Sequence, residues 1–249
     1  MSSAIALSNW SQMLVADLIK VLREPFFWLI LIAPFLLGYG MHYFLPYLEQ
    51  RFPAIELAYY FPVIVALLVL TSPLYYGFVL GLQVLDEKDE NVLLAVAVTP
   101  ISLKTYLAAR ITIYSLVSIP IIVIVHEMIA VLAVDRFQLI MVALAGSLNT
   151  PLIVLLLGAF AKNQLEGFVI AKSLGFLMLF PLVTYFVPDY WHLICGVLPT
   201  YWPIIAYYTA VAPDGSNWFF YLAIVMSLIM QPLAIAYLYR RFEGSLLRV

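Results

Sequence analysis

Charged side chains are scarce in this sequence of 249 residues, since Asp, Glu, Lys and Arg together make up only 10% of it. Soluble domains have about 25% charged residues and are about 45 to 50% apolar, where this chain is 65% apolar. With a mean hydropathy of +1.04, the chain lacks the polar residues needed to cover a globule. A water-soluble fold is therefore excluded, and the apolar surface must face the hydrocarbon of a membrane.

Basic residues and cysteine are also few. The 12 Lys and Arg residues are outnumbered by 14 Asp and Glu residues, for a net charge of -2, which excludes the basic surface that nucleic-acid partners require. The single cysteine, Cys195, can form neither an internal disulfide nor a thiolate metal cluster by itself. We interpret it as a small apolar residue.

The sequence has no motif that would bind ATP. No Gly-x-x-x-x-Gly-Lys-Ser/Thr sequence occurs, and the nearest approach, residues 167–173, lacks the second glycine and lies in an apolar run. The centres of the apolar runs contain essentially none of the ionisable residues with which transporters bind coupling ions. Hydrolysis of ATP by this chain alone is excluded, and a transporter driven by an ion gradient is disfavoured.

Long apolar runs predict membrane-spanning helices, because a span needs about 20 apolar residues and lipid tolerates only helices or closed barrels. With the N-terminus and C-terminus in the cytoplasm, ten of the 12 basic residues lie on the inner side, as the positive-inside rule favours. No linker or repeat divides the chain, so we treat residues 1–249 as a single transmembrane domain. We predict an all-α integral membrane protein with six transmembrane helices, at residues 26–48, 57–85, 111–134, 137–161, 167–187 and 218–239.

Two further segments border the membrane without crossing it. Residues 5–24 carry apolar side chains on one helical face, which predicts an interfacial helix within residues 1–25 on the inner surface. Residues 193–211 are uncharged and long enough to cross, but two prolines interrupt them. Counting them as a seventh span would leave seven basic residues inside and five outside. We therefore predict a re-entrant or interfacial outer segment at residues 188–217, before the last span.

The densest charge in the chain lies at residues 86–90, between the second and third spans on the predicted inner side. Asn91 follows, and because asparagine tolerates left-handed backbone geometry, we predict that the long helix breaks there and restarts as a short helix at 92–98. The segment 91–100 has no charge although it lies outside the membrane. An exposed apolar helix beside charges is typical of a docking surface, although a membrane-surface helix without a partner has the same pattern.

Residues 86–109, DEKDENVLLAVAVTPISLKTYLAA, resemble the signature between the second and third helices of ATP-binding-cassette type 2 permeases, the membrane subunits of many exporters. That family has a charged cluster, a glycine, a short helix and then Thr-Pro, and here Asn91 stands where the glycine is usual. The resemblance implies a cytoplasmic coupling helix within residues 86–104, seated in a cleft of an ATPase subunit, with a smaller contact from the loop at 162–166. The contact residues that it implies are Glu87, Lys88, Asp89, Glu90, Asn91, Val92, Leu93, Leu94, Val96, Thr99, Pro100, Asn163 and Gln164.

The same resemblance implies the assembly. Two copies of a cytoplasmic ATP-binding-cassette ATPase would bind ATP and Mg, with no cofactor in this chain. A second permease subunit, identical or related, would complete the membrane part, in the lipid of a bacterial inner membrane. The resemblance implies ATP-driven export. Because the spans carry few central charges, we expect the substrate to be amphipathic or lipophilic, such as a drug, lipid or hydrophobic peptide.

Polar residues inside the spans are further candidates. His126 and Glu127 fall in the outer third of the third span, where an ionisable pair is costly unless it is paired or wetted. They predict an outward-facing polar gate, a mutual hydrogen bond, or an interfacial position in which Glu127 reaches headgroup water. Asn149 and Thr150, about midway through the fourth span, predict either part of a substrate path or hydrogen bonds within the bundle.

The second span contains a Gly-x-x-x-Gly motif, at Gly77 and Gly81. Small residues at this spacing let two helices approach closely. The motif predicts close packing, either within the bundle or across the seam of a dimer.

Two alternatives to export remain open from the sequence. A non-transporting immunity or assembly protein is one of them. The other is an intramembrane enzyme or a metal or haem protein, although no metal site is predicted, because a His-Glu-x-x-His motif fails where position 130 is alanine. Its candidate residues are His42, His126, Glu127, His192 and Cys195.

Overall fold

The computed structural model describes residues 19–97, 102–177, 194–211 and 217–246. Within these ranges the chain folds into α-helices and has no strand, which confirms the predicted all-helical class. A 3₁₀ turn at Leu57–Tyr60 precedes the second helix. The helices are α1 (Pro25–Arg51), α2 (Phe61–Asp89), α3 (Val92–Ala97), α4 (Leu103–Ile129), α5 (Arg136–Ser147), α6 (Asn149–Phe160), α7 (Gln164–Leu177), α8 (Tyr201–Val211) and α9 (Asn217–Leu246).

Five helical segments among the described residues are long and apolar enough to span a membrane. The predicted span at 167–187 begins as α7, but its residues 178–187 lie outside the described ranges, so the count of six stays a prediction. Most of the predicted interfacial helix at 5–24 also lies outside them, and only its last part, residues 19–23, is described as helical. The five segments are Pro25–Arg51, Leu57–Asp89, Leu103–Ile129, Arg136–Phe160 and Trp218–Gly244.

The predicted fourth span consists of two helices. α5 ends at Ser147 and α6 begins at Asn149, with Leu148 between them. Pro151 has no backbone N–H to donate to the Ser147 carbonyl, so the regular helix breaks one turn before the proline.

α2 lies at the centre of the bundle and α1 at its edge. In the most apolar stretch of α2, 61% of the residues are buried, compared with 17% in α1. A Cβ atom at Gly77 would lie 2.7 Å from the Thr150 carbonyl oxygen, and one at Gly81 would lie 2.7 Å from Leu157 Cδ1. The glycine face of α2 is therefore filled by α6 within the bundle and is not free to form a dimer seam.

The bundle has two ends of different chemistry. One of them, the charge-rich end, carries residues 86–90 together with basic residues of α4, α9 and the α6–α7 loop. The opposite end holds α8, whose 11 residues extend about 16 Å and so cannot cross a hydrocarbon core of about 30 Å. α8 packs against α2, α5 and α9. The re-entrant or interfacial placement of residues 188–217 stays a prediction, and 188–193 and 212–216 lie outside the described residues.

Candidate functional site

The candidate site lies at the charge-rich end, where α2 ends and α3 begins. Asn91 has φ 59°, in the left-handed region that asparagine tolerates, and it separates the two helices. The Glu90 N–H donates to the Asp86 carbonyl at 2.9 Å and the Asn91 N–H donates to the Lys88 carbonyl at 3.2 Å, so backbone hydrogen bonds close the last turn of α2. The predicted helix break is confirmed, and α3 begins at the next residue, as expected.

The first two residues of α3 have different surroundings. Leu93 is 2% exposed and belongs to an apolar cluster shared with α2, α4, α6 and α9, whereas Val92 is 36% exposed. The side chain of Leu94, and Thr99 and Pro100 altogether, lie outside the described residues. Of the other expected contact residues, Asp89, Glu90, Asn91, Val92 and Asn163 are exposed, and Lys88, Val96 and Gln164 are half-buried.

Behind α3, a buried ion pair joins α2 to α4. Arg110 Nη1 donates to both carboxylate oxygens of Glu87, at 2.9 Å and 2.7 Å, and Arg110 Nη2 donates to Gln83 Oε1 at 3.0 Å. The Tyr106 hydroxyl donates to Glu87 Oε2 at 3.2 Å. Arg110 and Gln83 are fully buried and Glu87 is 6% exposed. Glu87, expected at the ATPase contact, therefore lies behind that surface and not on it.

The ion pair matters more for geometry than for net stability. Burying two charges costs several kcal/mol per ion, and only close, multiple hydrogen bonds offset that cost. Breaking such a pair on one side leaves a charge without compensation, so the pair holds α2 and α4 in one fixed arrangement on either side of α3.

This ion pair was not predicted from the sequence, where Arg110 counts only as one of the basic residues on the inner side. A usable signal exists in the spacing. Gln83 and Glu87 are four residues apart, as are Tyr106 and Arg110, which places two polar side chains on one face of each helix.

The end of α2 is also linked to the segment before α1. Lys20 Nζ lies 2.5 Å from Asp86 Oδ2, and both side chains are about a quarter exposed, at 29% and 27%. This contact ties residues 19–23 to the charge-rich end.

The loop between α6 and α7 has a structural role of its own. Asn163 Oδ1 accepts from the Glu166 N–H at 2.9 Å, and Glu166 Oε2 accepts from the Lys162 N–H at 2.9 Å. These reciprocal bonds resemble a capping box and fix the start of α7. A Cβ atom at Gly167 would lie 2.6 Å from Leu85 Cδ1, so this start is packed against α2 near the charge-rich end.

Asn149 and Thr150 lie in the core of the bundle. Their exposures are 1% and 0%, and Thr150 Oγ1 donates to the Pro73 carbonyl oxygen at 3.0 Å. Asn149 Oδ1 has no hydrogen-bond partner among the described residues. Thr150 thus bonds a neighbouring helix, which was one of the two alternatives, and a part in a substrate path stays a prediction for both residues.

His126 and Glu127 face different surroundings at the opposite end. His126 is 5% exposed, and its Nδ1 lies 2.8 Å from the Tyr207 hydroxyl of α8. Glu127 is exposed. Adjacent residues of a helix point about 100° apart, which is why the hydrogen-bond partner of His126 is Tyr207 and not its neighbour in sequence.

The other residues considered for a metal or enzyme site are dispersed. His42 Nδ1 donates to the Ile129 carbonyl oxygen at 3.0 Å. In the part of the chain that the structure describes, which does not include His192, no three His, Cys, Asp or Glu residues form a group able to hold a metal. Cys195 is buried, and this burial raises the pKa of its thiol, in keeping with a small apolar residue.

The chain resembles known transport proteins over almost its whole length. Residues 17–239 match the family described as fluoroquinolones export permease protein Rv2686c-like. Two curated relatives from Mycobacterium tuberculosis, the fluoroquinolones export permease proteins Rv2686c (strain H37Rv) and MT2760 (strain CDC 1551 / Oshkosh), are each 29% identical over 235 residues, covering 92% of this chain and 92% of the relative. No solved structure matches the chain significantly.

Proposed function

Since the chain belongs to the Rv2686c-like family of export permeases and is a transport subunit, not an enzyme, we propose that a separate cytoplasmic ATPase drives it through α3. The observation that carries this proposal is the exposed Val92 next to the exposed charges of residues 89–90, at the start of a helix that Leu93 fixes to the bundle. A partner that pushes on α3 would push on the ends of α2 and α4 at the same time.

The Glu87–Arg110 pair supports this role for α3. It joins the last turns of α2 to the first turns of α4, on either side of the short helix. A displacement of α3 would therefore move two spanning helices as one body instead of bending one of them. Movement of rigid helices against each other is a common way to open a path through a membrane domain.

The cargo proposed is a lipophilic or amphipathic molecule, and the names of the relatives make a fluoroquinolone the first one to test. A groove of about 850 Å³ lies between α4, α5, α6 and α9. Its hydroxyl groups donate to carbonyl oxygens of their own helices: Thr112 to Ala108, Ser115 to Ile111 and Ser147 to Leu144. The groove thus offers an apolar wall of a size that suits a drug-like molecule.

The proposed assembly is two permease subunits, identical or related, with two ATPase copies that bind ATP and Mg. The chain lies in the inner membrane of the cell, with its charge-rich end and both termini on the cytoplasmic side. The excess of Lys and Arg at this end supports the orientation.

The first experiment is recovery of the partner from membranes. The tagged chain should bring down a soluble chain with a phosphate-binding loop in a stoichiometric amount. Val92→Asp places a charge in the apolar contact, and one unpaired buried charge costs several kcal/mol. This substitution should therefore reduce recovery of the partner about tenfold or more. Val197→Asp is the matched control at the opposite end, where Val197 is 74% exposed, and it should leave recovery unchanged.

A transport assay distinguishes export from the alternative that the chain is a non-transporting immunity or assembly protein. Vesicles containing the chain and its ATPase should move a fluoroquinolone only when ATP is present, and Val92→Asp should abolish this. Transport by the purified chain without an ATPase, or equal loss of the partner in both valine variants, would contradict the proposal.

A further inference from the structure

A second groove lies at the charge-rich end, on the outside of the bundle between the ends of α2, α6 and α9. Its volume is about 1040 Å³. It is lined by four cations, Lys88, Lys162, Arg240 and Arg241, and by a single carboxylate, Asp89.

The cations that line this groove outnumber its carboxylates. Among the described residues, Lys162, Arg240 and Arg241 form no ion pair, and all three are exposed. Lys88 is half-buried, and its ammonium group interacts electrostatically with the carboxylates of Asp89 and Glu166. The groove therefore has a net positive charge and would attract an anion.

Aromatic rings line the same groove. The Arg241 guanidinium lies 5.8 Å from the ring centre of Phe160 and 6.0 Å from that of Tyr237, and its Nε donates to the Tyr237 hydroxyl at 3.3 Å. Phe160 is 49% exposed and Tyr237 is 56% exposed. Exposed aromatic rings beside cations are typical of the depth at which lipid headgroups meet hydrocarbon.

An apolar stripe leads from the groove into the membrane along α9. Ile229, Leu233 and Tyr237 precede Arg241 at intervals of four residues, and the first two are 48% and 62% exposed. The distance from the start of this stripe to Arg241 is roughly 18 Å at the rise of an α-helix, which is about the thickness of one leaflet. A water-soluble subunit cannot reach along this stripe, whereas an acyl chain can.

From the cationic groove and its apolar extension, we propose that this face of α6 and α9 is a binding site for an anionic phospholipid. The headgroup lies among Lys162, Arg240 and Arg241, and an acyl chain follows the stripe on α9. Basic pockets beside spanning helices are the sites at which membrane proteins hold anionic headgroups. The groove shares Lys88, Asp89 and Lys162 with the expected ATPase contact and Arg240 with the cargo groove. Lipid binding is therefore measured on the purified chain, without cargo or ATPase, so that this proposal and the proposed function can fail separately.

The test is native mass spectrometry of the purified full-length chain in detergent, with phosphatidylglycerol or phosphatidylcholine of identical acyl chains. We expect phosphatidylglycerol to bind about tenfold more tightly. Lys162→Gln/Arg241→Gln should weaken this binding about tenfold or more, since each cation near the membrane surface contributes about fivefold. Both side chains are exposed, so the variant should keep the circular dichroism spectrum of the parent chain.

Two control variants test whether the loss of phosphatidylglycerol binding comes from the cations of this groove. Arg51→Gln/Arg136→Gln makes the same change of charge at the opposite end, and Lys104→Gln removes a cation of the charge-rich end that does not line this groove. Both should change phosphatidylglycerol binding less than about twofold, because the two arginines lie at the opposite end and the exposed Lys104 does not line the groove and is screened by solvent. Equal binding of the two lipids, equal losses in the controls, or displacement of the lipid by millimolar inorganic phosphate would overturn the proposal. So would a Lys162→Gln/Arg241→Gln chain that loses the ATPase and still binds phosphatidylglycerol.

Discussion

The two ends of the bundle hold α4 in different ways. At the charge-rich end the contact is ionic, between Arg110 and Glu87, and at the opposite end it is a neutral hydrogen bond between His126 and Tyr207. Both contacts are buried. Their neighbours differ, since the ionic contact adjoins the short helix α3, where Val92 is exposed, whereas Tyr207 of the neutral contact belongs to α8, which packs against α2, α5 and α9.

Under the proposed function, the end with the ion pair moves and the end with the neutral hydrogen bond stays fixed. A buried ion pair has strict geometry and a high cost of rupture, which suits an element that must transmit a push without deforming. A neutral hydrogen bond under a packed short helix only has to keep polar atoms satisfied. Four substitutions, ordered from the largest expected effect to the smallest, test how far the two ends differ.

The largest effect is expected from Arg110→Met. Glu87 would remain buried without its partner, so the free energy of unfolding should fall by about 3 to 5 kcal/mol. Reversible denaturation in mixed micelles measures this change. Glu87→Leu/Arg110→Met should recover most of the loss, because an apolar pair can replace a buried ion pair.

Lys104→Met is the control for this experiment, since Lys104 is exposed at the same end and should change stability by less than about 1 kcal/mol. If the double variant is as unstable as Arg110→Met, the buried charge is not the cause of the loss.

Tyr207→Phe should have a smaller effect at the opposite end. It removes the hydroxyl beside His126 Nδ1 and leaves a buried ring nitrogen without a partner, which costs about 1 to 3 kcal/mol. Tyr47→Phe is the matched control, because Tyr47 is 60% exposed and should stay within about 0.5 kcal/mol of the parent chain. Equal losses in the two variants, measured by the same denaturation, would mean that the hydrogen bond adds nothing.

Ala130→Gly should stabilise the protein. Ala130 ends α4 at φ 52°, where a Cβ atom is strained and glycine is not. We expect a gain of about 0.5 to 1 kcal/mol in the free energy of unfolding. Ala236→Gly, on the exposed side of α9 and inside a helix, should instead cost about 1 kcal/mol. A loss of stability in both variants would contradict the strain at Ala130.

Asn91→Gly should have the smallest effect, although Asn91 has the same left-handed geometry, φ 59°. Asparagine already tolerates this region, so the change should stay within about 0.5 kcal/mol, and recovery of the ATPase should be unchanged. Asn91→Ala, which keeps a Cβ atom without the polar group, should be the less stable of the two. Loss of the ATPase in a stable Asn91→Gly chain would show that the asparagine side chain itself contacts the partner.

Local chemistry made part of this structure predictable. The break at Asn91 follows from a residue that accepts positive φ after a run of charges, and it depends only on neighbours in sequence. Pro151 allows the fourth span to divide, but a proline alone does not decide this, since four other spans keep a proline inside a continuous helix. The close approach of α2 to α6 was also predictable from Gly77 and Gly81, although not which helix would fill the glycine face.

The contacts between distant residues were not predictable in the same way. His126 was expected to line a gate, to bond Glu127 or to lie at the interface, and the structure pairs it with Tyr207, which is 81 residues away. Arg110 was counted only among the basic residues of the inner side, and it is fully buried in an ion pair with another helix. Such assignments depend on which helices are neighbours, and no periodic pattern in one helix carries that information.

The sequence by itself determined that this protein is helical and lies in a membrane, because its composition leaves no other way to satisfy the backbone and to cover the apolar surface. Only the tertiary structure decided which faces are core. α1 and α2 are both apolar on all sides, yet one is mostly exposed and the other mostly buried. In a membrane the lipid-facing and core-facing residues are equally apolar, so hydrophobicity cannot distinguish them, and close packing and buried polar contacts make that choice.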